Sequence, residues 1–139
     1  MQLQDSPILR ISLSKIHPFV LMFGFYLFAY GANFPGGGFQ AGVLFGAIVV
    51  VIELVFEQKI FPDRLYGILE AGGAMLLICG VWYGILTSGV PFTPLYTWQH
   101  DSFLLSNILI FLLGFAIFLE VSGSLVLIFR HFLSWGFDE

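Results

Sequence analysis

Pro35-Gly36-Gly37-Gly38-Phe39-Gln40 joins two almost uncharged apolar stretches, Pro18 to Phe34 and Phe39 to Phe56. A connection this short makes the two stretches adjacent antiparallel helices. Each is about one bilayer core long, so the turn lies at or inside a membrane surface. Three consecutive glycines reach backbone angles closed to other residues and let a neighbouring backbone approach closely. On physical grounds alone, the turn reads equally well as a tight membrane hairpin with no further role.

Composition agrees with a membrane setting. With 58% hydrophobic residues, 10% charged residues and a mean hydropathy of +0.94, the chain has more apolar surface than a soluble core of this length can hide. The net charge of −4 comes without a basic patch, which disfavours a nucleic-acid partner. A single cysteine, Cys79, excludes a disulfide framework, a C-x-x-C redox pair and a cysteine-ligated cluster within the chain.

Hydropathy predicts an all-α integral membrane protein, one membrane domain over 1–139, with spans at about 16–33, 39–56, 65–87 and 103–129. The first fifteen residues are polar and lack a small-residue cleavage site, so the first span is expected to be an uncleaved anchor. Arg10 and Lys15 precede the first span, Lys59 and Arg64 separate the second and third, and Arg130 follows the fourth. Four spans put all five cations on one side, and the positive-inside rule makes that side cytoplasmic, with both termini inside. The apolar loop from Thr87 to Ser102 then lies outside, along the interface or against a partner.

Three acids fall within the spans. An ionised side chain at the membrane centre costs about 3 kcal/mol even on mild scales, so Glu53, Glu70 and Glu120 need partners or water. Glu53 shares a stripe with Gly46 and Gly42, which extend with Gly38 into a G-x-x-x-G-x-x-x-G series suited to close helix packing. Glu70 shares its stripe with Ala74, Leu77, Val81, Gly84 and Ser88. Glu120 projects opposite a face of Phe111, Phe115 and Phe118, beside Ala116, Gly123 and Ser124. The functional reading is an ion or proton path through these carboxylates, because a carboxyl group held away from water can exchange a proton near neutrality. The structural reading is that Glu53 and Glu70 reach Lys59 and Arg64, leaving Glu120 as the one acid inside the membrane. His17 at the entrance of the first span and His100 beside Asp101 read as interfacial and solvated histidines. No paired-histidine, H-E-x-x-H or C-x-x-C spacing points to a metal site, and no cofactor motif is present.

The phrase G-A-N-F-P-G-G-G-F-Q-A-G, from Gly31 to Gly42, resembles the signature of the MnhB/MrpB family, the B-type component of multisubunit Mrp-type Na+/H+ antiporters. The segment from Ser106-Asn107-Ile108 to Phe118-Leu119-Glu120-Val121-Ser122-Gly123 is similar to the family's C-terminal pattern. The resemblance covers nearly the whole chain. It implies a four-span, multi-pass subunit in a prokaryotic cytoplasmic membrane, partnered by other Mrp-type subunits including large antiporter-like ones, in an assembly that moves Na+ and H+. It also implies a structural role for Pro35, Gly36, Gly37, Gly38 and Phe39 in helix pairing and subunit contact. Proteins of this type also occur in membrane-bound hydrogenases and sulfane reductases, so a redox complex is the alternative parent. A purely structural scaffold is the second alternative. A small drug/proton exporter would need an acid in the first span, which has none. With no nucleophile and base set, a transporter subunit is expected rather than an enzyme.

Overall fold

The computed structural model describes residues 6–31, 37–88, 91 and 103–135. Pro35 and Gly36 of the turn, and His100 and Asp101 in the third connection, lie outside the described residues. The described residues form four helices, each long and apolar enough to cross a membrane: α1 Pro7–Tyr30, α2 Gly38–Phe56, α3 Asp63–Ser88 and α4 Phe103–Trp135.

Helix α1 begins about nine residues before the expected span. Ser6 caps it by accepting a hydrogen bond from the Leu9 amide at 3.4 Å, and Pro7 opens the first turn, where its missing N–H costs nothing. Hydropathy alone places the boundary at the end of the polar stretch and passes over this cap. Pro18 lies inside the helix. At the other end of the hairpin Gly37 takes φ 131°, a conformation open to glycine, and α2 starts at the next residue. The two helices run antiparallel: Phe25 meets Phe45 edge to face at 4.9 Å, and Gly31 lies against the Gly37 backbone. Glu57 ends α2 in the left-handed region, and a six-residue link returns the chain to Asp63.

The four helices form a row in the order α1, α2, α4, α3, in place of a closed bundle. Among the described residues α2 and α3 flank α4 on opposite sides without their backbones meeting, and α1 packs on α2 and only grazes α4. The glycine series governs the parallel α2–α4 contact. A Cβ on Gly38 would fall on the Gly114 carbonyl, one on Gly42 would stand 3.0 Å from the Phe118 oxygen, and one on Gly46 3.3 Å from that of Ser122. Both helices advance four residues per contact, so the glycine row of α2 tracks the backbone of α4 at Gly114, Phe118 and Ser122.

The phenylalanine face of α4 is where the hairpin docks. Phe28 meets Phe111, Phe115 and Phe118 at 5.2, 6.0 and 5.3 Å, and Phe45 meets Phe118 at 5.0 Å. Phe28 of α1 covers part of one broad face of the row, and among the described residues no helix covers the opposite face. Even in α2, the best-covered helix, 33% of the span is buried; in α1 and α3 the share is 11%.

Candidate functional site

One end of the row collects charge. Arg130, near the end of α4, donates from Nε to Glu53 Oε2 at 2.9 Å and from Nη2 to Oε1 at 2.5 Å, a two-pronged ion pair with side chains 11% and 12% exposed. Its Nη1 donates to Asp63, and Nη2 also reaches the Phe61 carbonyl at 2.9 Å. The guanidinium lies 4.8 Å over the ring of Tyr66, which is 5% exposed and whose hydroxyl is buried without a partner among the described residues. Glu53 Oε1 accepts a further hydrogen bond from the Ile60 amide at 3.1 Å, and Lys59 pairs with Asp63 at 3.1 Å. Below this anchor Val50, Tyr66 and Val126 form the buried apolar cluster that joins α2, α3 and α4.

This geometry corrects the expected pairing. Glu53 is held by Arg130, 77 positions away, and Lys59 by Asp63. Arg64 is exposed and stands six residues, about 120°, round α3 from Glu70. Glu70 therefore does not reach a loop cation.

Glu70 and Glu120 instead meet each other's helices. A Cβ at Gly73 would stand 2.6 Å from the Ala116 oxygen, 2.6 Å from the Glu120 nitrogen and 2.8 Å from the Glu120 Cβ. A Cβ at Gly123 would stand 2.7 Å from the Tyr66 oxygen and 3.0 Å from the Glu70 nitrogen. The exchange is reciprocal: in Glu70-Ala71-Gly72-Gly73 and Glu120-Val121-Ser122-Gly123, each glycine receives the backbone at the other segment's glutamate. Two antiparallel helices related in this way have their local two-fold axis normal to the plane of the row. Each glutamate sits about 60° round its helix from its glycine, so both side chains leave the crossing on the same broad face. That face is opposite the one on which Phe28 of α1 docks.

Depth follows from the helix rise. Asp63 and Arg130 meet at one level, so Glu70 is about 10 Å and Glu120 about 15 Å inward of it. A core of about 30 Å that begins at the charged layer has Glu120 at its centre. Among the described residues neither carboxylate has a hydrogen-bond or ion-pair partner. The nearby serine hydroxyls are engaged elsewhere: Ser124 donates to the Glu120 carbonyl at 2.6 Å and Ser122 to that of Leu119 at 3.1 Å.

Arg130 escaped the sequence reading as a partner because its pairing spans 77 positions, more than half of the chain. The glutamate crossing did leave a signal, the repeated E-x-x-G step in the third and fourth spans. Gly42 and Gly46 lie on the α2–α4 contact, and Phe39 is exposed at the start of α2.

The chain matches the model of a domain related to the MnhB subunit of Na+/H+ antiporter over residues 8–127. It is 33% identical over 104 residues to antiporter subunit mnhB2 of Staphylococcus saprophyticus, covering 73% of this chain and 71% of that protein. It is 32% identical over 89 residues to the B-type Na+/H+ antiporter subunit of Bacillus subtilis, covering 61% of each. A third relative, mnhB2 of Staphylococcus haemolyticus, is 29% identical over 105 residues, 73% of this chain and 72% of that protein. No solved structure matches the chain. On the family match and the four spanning helices, this multi-pass cell-membrane chain belongs to the MnhB family of Na+/H+ antiporter subunits.

Proposed function

We propose that the chain is the MnhB-type subunit of an Mrp-type antiporter, with both termini cytoplasmic, that helps assemble the complex and contributes Glu70 and Glu120 to its ion path. One observation carries the second half of this reading: two carboxylates packed at one helix crossing, deep in the apolar span, with no counter-charge from their own chain among the described residues. An acid so placed is costly unless it is used or compensated. Glu53 has a different part. Its carboxylate is committed to Arg130, which makes it an anchor of the charged end. In this reading the chain supplies a transport element, and its activity is that of the whole complex.

The orientation rests on the clustering of Lys59, Arg64 and Arg130, with Arg10 and Lys15 early in α1, at one end of the row. Purification through a tag on this chain tests the assignment. Co-purification of large antiporter-like subunits, with Na+-dependent proton exchange in proteoliposomes, is the expected result. Nickel or iron–sulfur subunits in the same preparation would place the chain in a redox complex instead.

A further inference from the structure

We propose that the face of the α3–α4 crossing bearing Glu70 and Glu120 receives a transmembrane helix of a neighbouring subunit, which brings a lysine or arginine to the two carboxylates. This deepens the antiporter reading and rests on it for the identity of the assembly.

Charge complementarity points to such a partner. The chain has five cations, and none serves this face. Arg130 spends its guanidinium on Glu53, Asp63 and the Phe61 carbonyl, and Lys59 is bound to Asp63. Arg64 stands on another side of α3, and Arg10 and Lys15 belong to α1, whose backbone does not approach α3 among the described residues. Two like charges side by side in a low-dielectric setting each raise the cost of the other, so a single cation between them relieves both.

The shape of the crossing suits such a guest. Gly73 and Gly123 bring the two backbones together, and helical spacing puts Ala74 and Ser124 along the seam between α3 and α4 on the face of the two glutamates. Small flanking residues are what let another helix approach closely in a membrane. Lipid tails would cover the seam without answering its charge. A second copy of this chain is a poor fit, since its own cations lie at the charged end, about 10 to 15 Å from the level of the pair. A guanidinium or an ammonium from a different subunit meets both requirements.

A photo-crosslinking side chain at Ala74, on the same flank as Glu70, tests this in the intact complex. The expected adduct is with another subunit, on a helix that carries lysine or arginine within one turn of the crosslinked residue. An adduct with lipid alone, or with a helix that has no lysine or arginine within two turns, overturns the proposal. A second measurement guards against a bound ion giving the same charge balance. The double variant Glu70→Gln with Glu120→Gln should lower the melting temperature of the complex by about 5 °C in Na+-free buffer, and whatever stabilisation added Na+ gives the parent complex should persist in the double variant. A parent complex that is stabilised by Na+, with the gain lost in the double variant, would assign the seam to the ion and reject the partner helix. If the basic adduct forms in a complex without Na+-dependent exchange, the docking stands and the transport reading fails.

Discussion

Arg130 uses a different property of the guanidinium for each of its neighbours. The fork of donors matches the two oxygens of Glu53, the remaining edge reaches Asp63, and the flat face covers the Tyr66 ring. Lysine reproduces only the charge. Arg130→Ala leaves Glu53 buried and unpaired, a loss of about 3–5 kcal/mol by the usual cost of breaking a buried pair. It should therefore sharply reduce the amount of folded chain recovered from membranes. Arg130→Lys should fall between that variant and the parent. Joining Glu53→Gln to Arg130→Ala should restore part of the yield, because no uncompensated acid remains beside the gap. A double variant no better than Arg130→Ala alone would show that the pairing is not what the arginine supplies. None of this network was legible in the sequence, since Glu53 and Arg130 are linked only by the packing of α2 against α4. Periodicity says which stripe a residue occupies and is silent on which helix faces that stripe.

Two adjacent glycines in α3 separate packing from helix propensity at the scale of the element. Gly73 is pressed on the Ala116 oxygen and the Glu120 nitrogen, whereas a Cβ at Gly72 would meet nothing within 4 Å. Gly73→Ala must push two backbones apart, and no rotamer change relieves a clash with main-chain atoms. Gly72→Ala fills open space and gains up to about 1 kcal/mol of helix propensity. The expected outcome is lower thermal stability for Gly73→Ala and equal or higher stability for Gly72→Ala, read from melting of the purified complex. Equal behaviour of the two variants would contradict the described crossing. The helices themselves were legible: the glycine turn forecasts the α1–α2 hairpin, and hydropathy finds all four spans. The start of α1 is also written in the chain, as serine followed by proline, but in capping chemistry that hydropathy does not register. The docking of the Phe111, Phe115 and Phe118 face on α1 and α2 was not legible, because apolar rings suit lipid and protein equally.

At the scale of the whole molecule, the row of α1, α2, α4 and α3 has two broad faces and one charged edge. A thin row of this kind gains cover only from lipid or other subunits, consistent with a family of antiporter subunits. Its orientation is open to direct labelling. With the exposed Cys79 replaced by alanine, a cysteine at Ser134 should resist an impermeant thiol reagent in intact cells, and one at Thr93 should react; the reverse pattern would invert the topology. The ion-path half of the proposed function is tested most directly at Glu120, which lies about 15 Å inward of the charged layer and has no partner among the described residues. Glu120→Gln keeps the size and hydrogen bonding of the side chain and removes its titration. The decisive measurement is Na+-dependent proton exchange by the purified complex carrying this substitution, made beside a count of its subunits. The expected result is a full set of subunits and a loss of at least about tenfold in exchange rate, about 1.4 kcal/mol in barrier height. A complete complex that exchanges at the parent rate across pH would remove Glu120 from the ion path.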